Sequence, residues 1–344
     1  MQPAESTINV IDELHSKQEL CGAVLRVVGA AEEADGVAPL SEAFLRGIQE
    51  DLGHRHLVAV DANHPQEVWG VLAVDRDSVV ELAVLPEHRH EGVGSALIDR
   101  LRQLDGDHCP IDVWAHGDLP AARKFVGAME ARKTRELLKM SLEVTAGSGT
   151  REQLRERVTQ AEKFVAQAGY RVMTYPEAAA EFGEETVDRE WLRVNNEAFA
   201  WHPEQGGWDL PRLEQARAAR WFDPNGVISL WKGEEPQCLG FHWTKIPEGA
   251  QEGQEGGEDK AGQGGHEGEA GLKEGEVYVV CLADAARGQG LGGPITLLGM
   301  GWLLECGVEQ INLYVEGANA PAIATYEKLG FQITHTDVVY RGYL

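Results

Sequence analysis

The stretch Val279-Val280-Cys281-Leu282-Ala283-Asp284-Ala285-Ala286-Arg287-Gly288-Gln289-Gly290-Leu291-Gly292 sets an apolar run directly against a glycine-bearing turn. Glu81-Leu82-Ala83-Val84-Leu85-Pro86-Glu87-His88-Arg89-His90-Glu91-Gly92-Val93-Gly94 repeats the plan. Arg89, Gly92 and Gly94 match Arg287, Gly290 and Gly292 at a constant separation of 198 residues, and Ile111 to Gly117 matches Ile311 to Gly317 at 200. Two copies of one domain account for this better than chance does. Each copy reads as strand, tight turn, helix, strand, helix. Apolar β-runs fall at 79–84 and 277–282, and helical spacing follows at Leu97, Ile98 and Leu101 and at Leu297, Leu298, Trp302 and Leu303. Further strands are predicted at 57–60, 68–74, 227–231 and 239–244. That order predicts an α/β fold with a mixed sheet in each half.

The division is expected near 143–151, where Thr145 to Thr150 breaks the pattern. This gives a first domain at 1–145, a linker and charged helix at 146–170, and a second domain at 171–344. Residues 249–275 hold ten glycines and an excess of glutamate, too little apolar surface for a core, and are expected to form a disordered insertion. A chain of 344 residues suits two domains. Its formal charge of −25 repels nucleic acid and acidic membranes, so an anionic ligand needs a local device. Cys21, Cys109, Cys238, Cys281 and Cys306 are scattered and odd in number, which excludes a disulfide framework and predicts buried thiols. No apolar run is long enough to span a bilayer and no signal-peptide layout is present; a cytoplasmic monomer is expected.

The turn Arg-x-x-Gly-x-Gly between strand and helix is such a device. Glycines let the backbone approach a ligand, and free N–H groups at a helix start converge on an anion such as a coenzyme pyrophosphate. One copy could be a mere tight turn; two copies in the same context weaken that reading. Neither a dinucleotide G-x-G-x-x-G nor a P-loop lysine is present, so nucleotide hydrolysis is disfavoured.

This cradle, followed by Asn319-Ala320-Pro321-Ala322-Ile323-Ala324-Thr325-Tyr326-Glu327-Lys328-Leu329-Gly330-Phe331, resembles the acetyl-CoA core of the GNAT family of N-acetyltransferases. Islands at Asp35 to Pro39, Trp114 to Gly117, Leu192 to Phe199, His202 to Trp208, Trp221 to Pro224 and Gly240 to Lys245 are similar to a tandem-domain actinobacterial branch of that family. Members of that branch acetylate the cysteinyl amine of desacetylmycothiol, a cysteinyl-glucosaminyl-inositol. The resemblance implies two tandem GNAT domains, each a mostly antiparallel mixed sheet flanked by helices, with acetyl-CoA as co-substrate and no metal.

By the same resemblance, Val280, Cys281 and Leu282 would contact the pantetheine arm, Arg287 to Gly293 the pyrophosphate, and Asn319 to Ala324 the coenzyme beyond the next strand. The first-copy equivalents are Leu82, Ala83 and Val84 with His90, Glu91, Gly92, Val93, Gly94 and Ser95. There the acidic Glu91 departs from a cradle that is often basic. Tyr326 takes the general-acid position; a phenol of pKa about 10 stays protonated at neutral pH. A core aromatic beside Phe331 is the plain alternative. The first copy offers Phe125 and Val126 there, neither a proton donor, so it is expected to be non-catalytic. Glu276 takes the position of a base acting through water, with ending the Glu-rich loop as its alternative. Glu42, Glu204, Lys245, Glu276 and Tyr314 match acceptor-binding positions, although Glu42 reads equally as an exposed helix residue and Lys245 as a solvated strand end. Cys281 has no nearby partner for a covalent mechanism and reads as core. His116, His202 and His242 lack metal-site spacing. A different acceptor, a peptide N-terminus or an aminoglycoside, and a non-catalytic coenzyme-binding protein are the competing functions.

Overall fold

The computed structural model describes residues 8–12, 14, 17–50, 52–201, 205–247 and 272–344. The expected insertion lies outside them except at its end, where Glu274 and Gly275 already belong to a strand. The chain divides into two compact units. One comprises residues 1–138, 316–318 and 335–344, the other 139–315 and 319–334.

The first unit contains β1 (Ile8–Ile11), α1 (Cys21–Asp35), α2 (Glu42–Gln49), β2 (Arg55–Asp61), β3 (Val68–Val74), β4 (Val79–Val84), α3 (Val93–Asp105), β5 (Pro110–Ala115), α4 (Pro120–Ala128) and the start of β6 (Arg132–Glu143). Strands β1 to β4 are successively antiparallel, and β4 pairs with β5 in parallel only at Val79↔Asp112 and Val80↔Val113. One face packs Val24, Val27, Phe44 and Ile48 on the sheet, the other Leu97, Ile98 and Leu101. Leu45 beside them is partly buried and packs against the same core.

The second unit takes the rest of β6, then α5 (Gly149–Gln167), β7 (Tyr170–Thr174), α6 (Tyr175–Phe182), α7 (Glu184–Ala198), α8 (Leu210–Arg217), β8 (Val227–Lys232), β9 (Cys238–Lys245), β10 (Glu274–Leu282), α9 (Gly292–Glu305), β11 (Gln310–Glu316) and α10 (Ala320–Leu329). Its strands run in the order β6-β11-β10-β9-β8-β7. The apolar side chains of α6 and α7 cover one face with Trp231, Phe241 and Trp243; those of α5 and α9 cover the other with Ile228, Leu230 and Leu239.

Two expectations about organisation change. The final strand, β12 (Gln332–Tyr343), was assigned wholly to the second domain, yet from residue 335 onward it falls in the first unit, where Val338 to Tyr343 pair antiparallel with β5. The charged helix is no linker. Ser148 caps its start by accepting from Arg151 N, and Leu154, Ala161 and Val165 are buried in the second unit. A Cβ on Gly301 of α9 would lie 2.8 Å from Val158, so glycine is what lets α5 and α9 approach. Arg151 is buried and donates to the carbonyls of Val144 (2.8 Å), Val308 (2.8 Å) and Leu304 (2.7 Å), the last in the final turn of α9, where a cation offsets the helix dipole. Arg151→Met removes all three bonds, although the Leu304 carbonyl keeps the one it accepts from Gly307 N (3.1 Å). Chemical denaturation should show a loss of about 3 kcal/mol; an unchanged midpoint would mean that the α9 end is not held this way.

Candidate functional site

Strand β10 is held unequally on its two sides. It pairs with β9 along its length, from Glu276↔Lys245 to Leu282↔Gly240, but with β11 only from Glu274↔Gln310 to Val277↔Leu313. Beyond Val277 its β11-facing edge has no strand partner among the described residues. The β9 register also shifts between Val277 and Val279, making Tyr278 the extra residue of a bulge. The bulge reverses the alternation of side chains. Before it, Glu276 and Tyr278 lie on the side of Lys245 and Trp243; after it, Val279 and Cys281 join the α7-side core while Val280 and Leu282 join the α9-side core. In the first unit the β3–β4 register runs without a shift.

Glu276 was expected just ahead of the strand but sits inside it. Its carboxylate is 4.0 Å from Lys245 Nζ and has no hydrogen-bond partner among the described residues. Burial raises its pKa above the ordinary carboxylate value, opposed by Lys245 and Lys139 and reinforced by Glu274. Glu274, in contrast, is committed: it accepts from Asn312 Nδ2 (3.0 Å) and Gln310 Nε2 (3.2 Å). Tyr326 stands in the second half of α10. It is 9% exposed, its ring lies 6.0 Å from Phe331, and its hydroxyl is without a hydrogen-bond partner among the described residues. Burial pushes its pKa up to about 12, with the nearby Cys281 adding to the shift. Cys281 is itself buried, and burial raises its thiol pKa well above the usual value, which keeps it a neutral core residue. Cys238 is also buried, but Cys21, Cys109 and Cys306 are only partly so, against expectation.

The turn after β10 has Gly288 at φ 75° and Gly290 at φ 74°, and α9 starts at Gly292 without a side-chain cap. Its first N–H groups are therefore open to an anion such as a diphosphate. Arg287, 54% exposed, pairs among the described residues with the exposed Asp284 (3.0 Å), a contact easily exchanged for another anion. Gln289 is engaged by Tyr170 Oη (2.6 Å) and the Ala285 carbonyl (2.6 Å). Asn319 caps α10 by accepting from Ala322 N (3.3 Å), so its side chain already has local work.

The matching turn of the first unit has the same backbone shape, His90 at φ 66° and Gly92 at φ 90°, but different surroundings. Arg89 is clamped by both oxygens of Asp35 (2.7 and 2.8 Å). A Cβ on Gly94 would lie 3.1 Å from the Phe125 ring, whereas one on Gly292 would meet nothing within 4 Å. Phenylalanine thus fills the space that stays open over the second helix.

Of the remaining expected residues, Glu42 is exposed at the start of α2 in the first unit, Tyr314 is 45% exposed on β11, and Glu204 lies outside the described residues, as does His202. His242 is buried and neutral: burial pushes it down to about 4, and Nδ1 contacts the carbonyls of Ile295 (3.2 Å) and Thr296 (3.1 Å). His116 is the opposite case. Burial disfavours its charge, but Asp337 and Glu81 overcome this and raise it to about 9. Asp61, His64 and Glu67 could together reach a metal ion, but they lie at the surface of the first unit and Asp61 already accepts from Asn63 N. Sequence reasoning gave no role to Tyr278, nor to Trp221 beyond its place in the Trp221 to Pro224 island; they form an aromatic pair 4.9 Å apart whose rings both lie under Lys245 Nζ.

Residues 191–331 match the model of the acetyltransferase (GNAT) family. A mycothiol acetyltransferase of Corynebacterium urealyticum is 50% identical over 98% of this chain and 99% of its own, and one of Corynebacterium glutamicum (strain ATCC 13032) is 36% identical over 97% and 99%. The chain belongs to the mycothiol acetyltransferase family. Like its relatives in that family it is an acetyltransferase, and its fold is that of tandem GNAT proteins. A tandem GNAT protein from the clavulanic acid biosynthesis pathway superposes with a TM-score of 0.60 at 15% identity, covering 98% of each chain. A GCN5-related N-acetyltransferase from Sphaerobacter thermophilus gives 0.63 at 14%, covering 99% of this chain and 97% of its own. No helix among the described residues is long and apolar enough to cross a membrane.

The Glu276 carboxyl binds its proton more tightly folded than unfolded. The stability this confers is full below the ordinary carboxylate range and is lost as pH rises through its own higher titration. Glu276→Gln removes that slope, so in this mycothiol acetyltransferase family member the variant should gain in denaturation midpoint over wild type between pH 4 and pH 8. A constant difference across that range would contradict the raised titration.

Proposed function

We propose that the chain transfers the acetyl group of acetyl-CoA to the cysteinyl amine of desacetylmycothiol, with the second unit catalytic and the first not. One observation carries this reading. Two proton-handling groups, Glu276 on β10 and Tyr326 on α10, are half-buried and buried, and both are without hydrogen-bond partners among the described residues. Polar groups so placed are costly unless used.

The chemistry follows from these positions. The diphosphate of the coenzyme lies over the open N–H groups of Gly290 to Gly293, and the free edge of β10 after Val277 offers backbone N–H to the thioester carbonyl as negative charge develops there. Glu276 takes a proton through water from the acceptor, whose α-amine has a pKa of about 8 and is partly neutral already. The amine nitrogen attacks the carbonyl carbon, an amide C–N bond forms, and the C–S bond breaks. The departing thiolate takes its proton from Tyr326, whose raised pKa keeps it protonated until that moment. Lys245 and Tyr314 supply polar contacts that a polyhydroxylated acceptor needs, by resemblance to the relatives.

Release of CoA thiol from acetyl-CoA should depend on cysteinyl-glucosaminyl-inositol; release with peptides or aminoglycosides instead would overturn the acceptor, and no release with any acceptor would overturn the enzyme reading. Tyr326→Phe should lower kcat roughly a hundredfold or more while acetyl-CoA binding stays the same. An unchanged kcat removes Tyr326 from the reaction. Calorimetric titration should find a single tight acetyl-CoA site per chain, lost in Gly290→Val and kept in Gly92→Val; two equal sites would contradict a filled first cradle.

A further inference from the structure

Lys245 is directly opposite Glu276 across the β9–β10 ladder, yet its ammonium makes no hydrogen bond among the described residues. What surrounds it is aromatic. Nζ lies 5.3 Å from the centroid of Trp221 and 5.7 Å from that of Tyr278. Those rings brace one another edge-to-face at 4.9 Å, and both rest on the fully buried Trp243, at 5.5 and 5.0 Å. Tyr278 lies two residues after Glu276 and so shares its face by the ordinary pleat; as the extra residue of the bulge it stands without a cross-strand partner on β9.

We propose that Trp221 and Tyr278 are positioning residues whose ring faces hold the Lys245 ammonium beside Glu276 while leaving its N–H donors free for the hydroxyl or carbonyl oxygens of a polar acceptor. The inference rests on the proposed function, and it adds a reason for the placement of Lys245. A carboxylate partner in hydrogen-bond contact would use up the donors and cancel the charge, whereas a ring face attracts the cation and takes neither. The ammonium then also acts on Glu276. The charged and titratable groups around that carboxyl are Lys245 on β9, Lys139 on β6, and Glu274 and Tyr278 on β10 itself; only the two lysines favour its ionised form. Loss of the rings frees the lysine to swing towards water, weakens that support, and raises the pH at which Glu276 becomes available as a base.

The test compares Trp221→Leu, Tyr278→Leu and Trp221→Phe with wild type, using acetyl-CoA and cysteinyl-glucosaminyl-inositol. Both leucine variants should raise the acceptor KM roughly three- to tenfold, with the acetyl-CoA KM unchanged. Their acidic limb of kcat/KM should move to higher pH by about half a unit or more. Trp221→Phe, which keeps a ring, should restore both. Acetyl-CoA binding and thermal midpoint, measured in parallel, separate misfolding from the effect sought, and a merely structural role would not move the limb. A wild type inactive towards this acceptor overturns both the proposed function and this inference. An active wild type with unchanged acceptor KM and acid limb in the two leucine variants overturns the aromatic cage alone.

Discussion

The second unit depends on how strand β10 is paired. Full pairing with β9 fixes it, and pairing with β11 that ends at Val277↔Leu313 frees one edge of its last residues. Backbone donors left on such an edge in a buried region need a partner, and a ligand carbonyl can be one. The extra residue at Tyr278 then turns the strand so that Cys281 after it addresses the same α7 side as Glu276 and Tyr278. A regular strand would have sent one of these groups to the α9 side.

Other contacts serve to hold this strand and the helix after it. His242 on β9 reaches the carbonyls of Ile295 and Thr296 in the first turns of α9, and a Cβ on Gly299 would clash with its ring. At the far end Arg151 caps the same helix. Glu197 of α7 accepts from Asp284 N (3.1 Å), fixing the turn that leads into the glycines. Its neighbours in the Leu192 to Phe199 island are clamps too: Asn195 donates to the Gln205 carbonyl and Asn196 to that of Trp208. The open N–H groups at Gly292 and Gly293 therefore sit on a helix tied at both ends. That rigidity is what an anion seat requires, since amides already aimed at the ligand need no ordering when it binds.

Much of the fold was legible because it follows from short-range pattern. The apolar runs at 68–74 and 79–84 coincide with β3 and β4, and the repeated glycine turn gave the two-copy plan. The turn glycines could be read because only glycine adopts φ near 75° without strain. The bulge could not, because it exists only in the register between β10 and β9. The pairing of Val338 to Tyr343 with β5 was hidden for a similar reason, being a contact between segments over two hundred residues apart. Phe125 was noticed only for lacking a hydroxyl; that its ring covers Gly94 depends on the packing of α4 on α3. Lys245 could be named, but the two ring faces beneath it come from separate segments, and no spacing rule brings Trp221 to Tyr278. The two copies thus share a backbone and differ in what fills the space above the turn.

A crystal structure of the protein with acetyl-CoA bound tests the central claim most directly. The account predicts the diphosphate on the amides of Gly290 to Gly293 and the thioester oxygen on the free edge of β10 beyond Val277. A coenzyme seated on the first unit's turn with the second left empty, or a thioester oxygen turned away from β10, would contradict it.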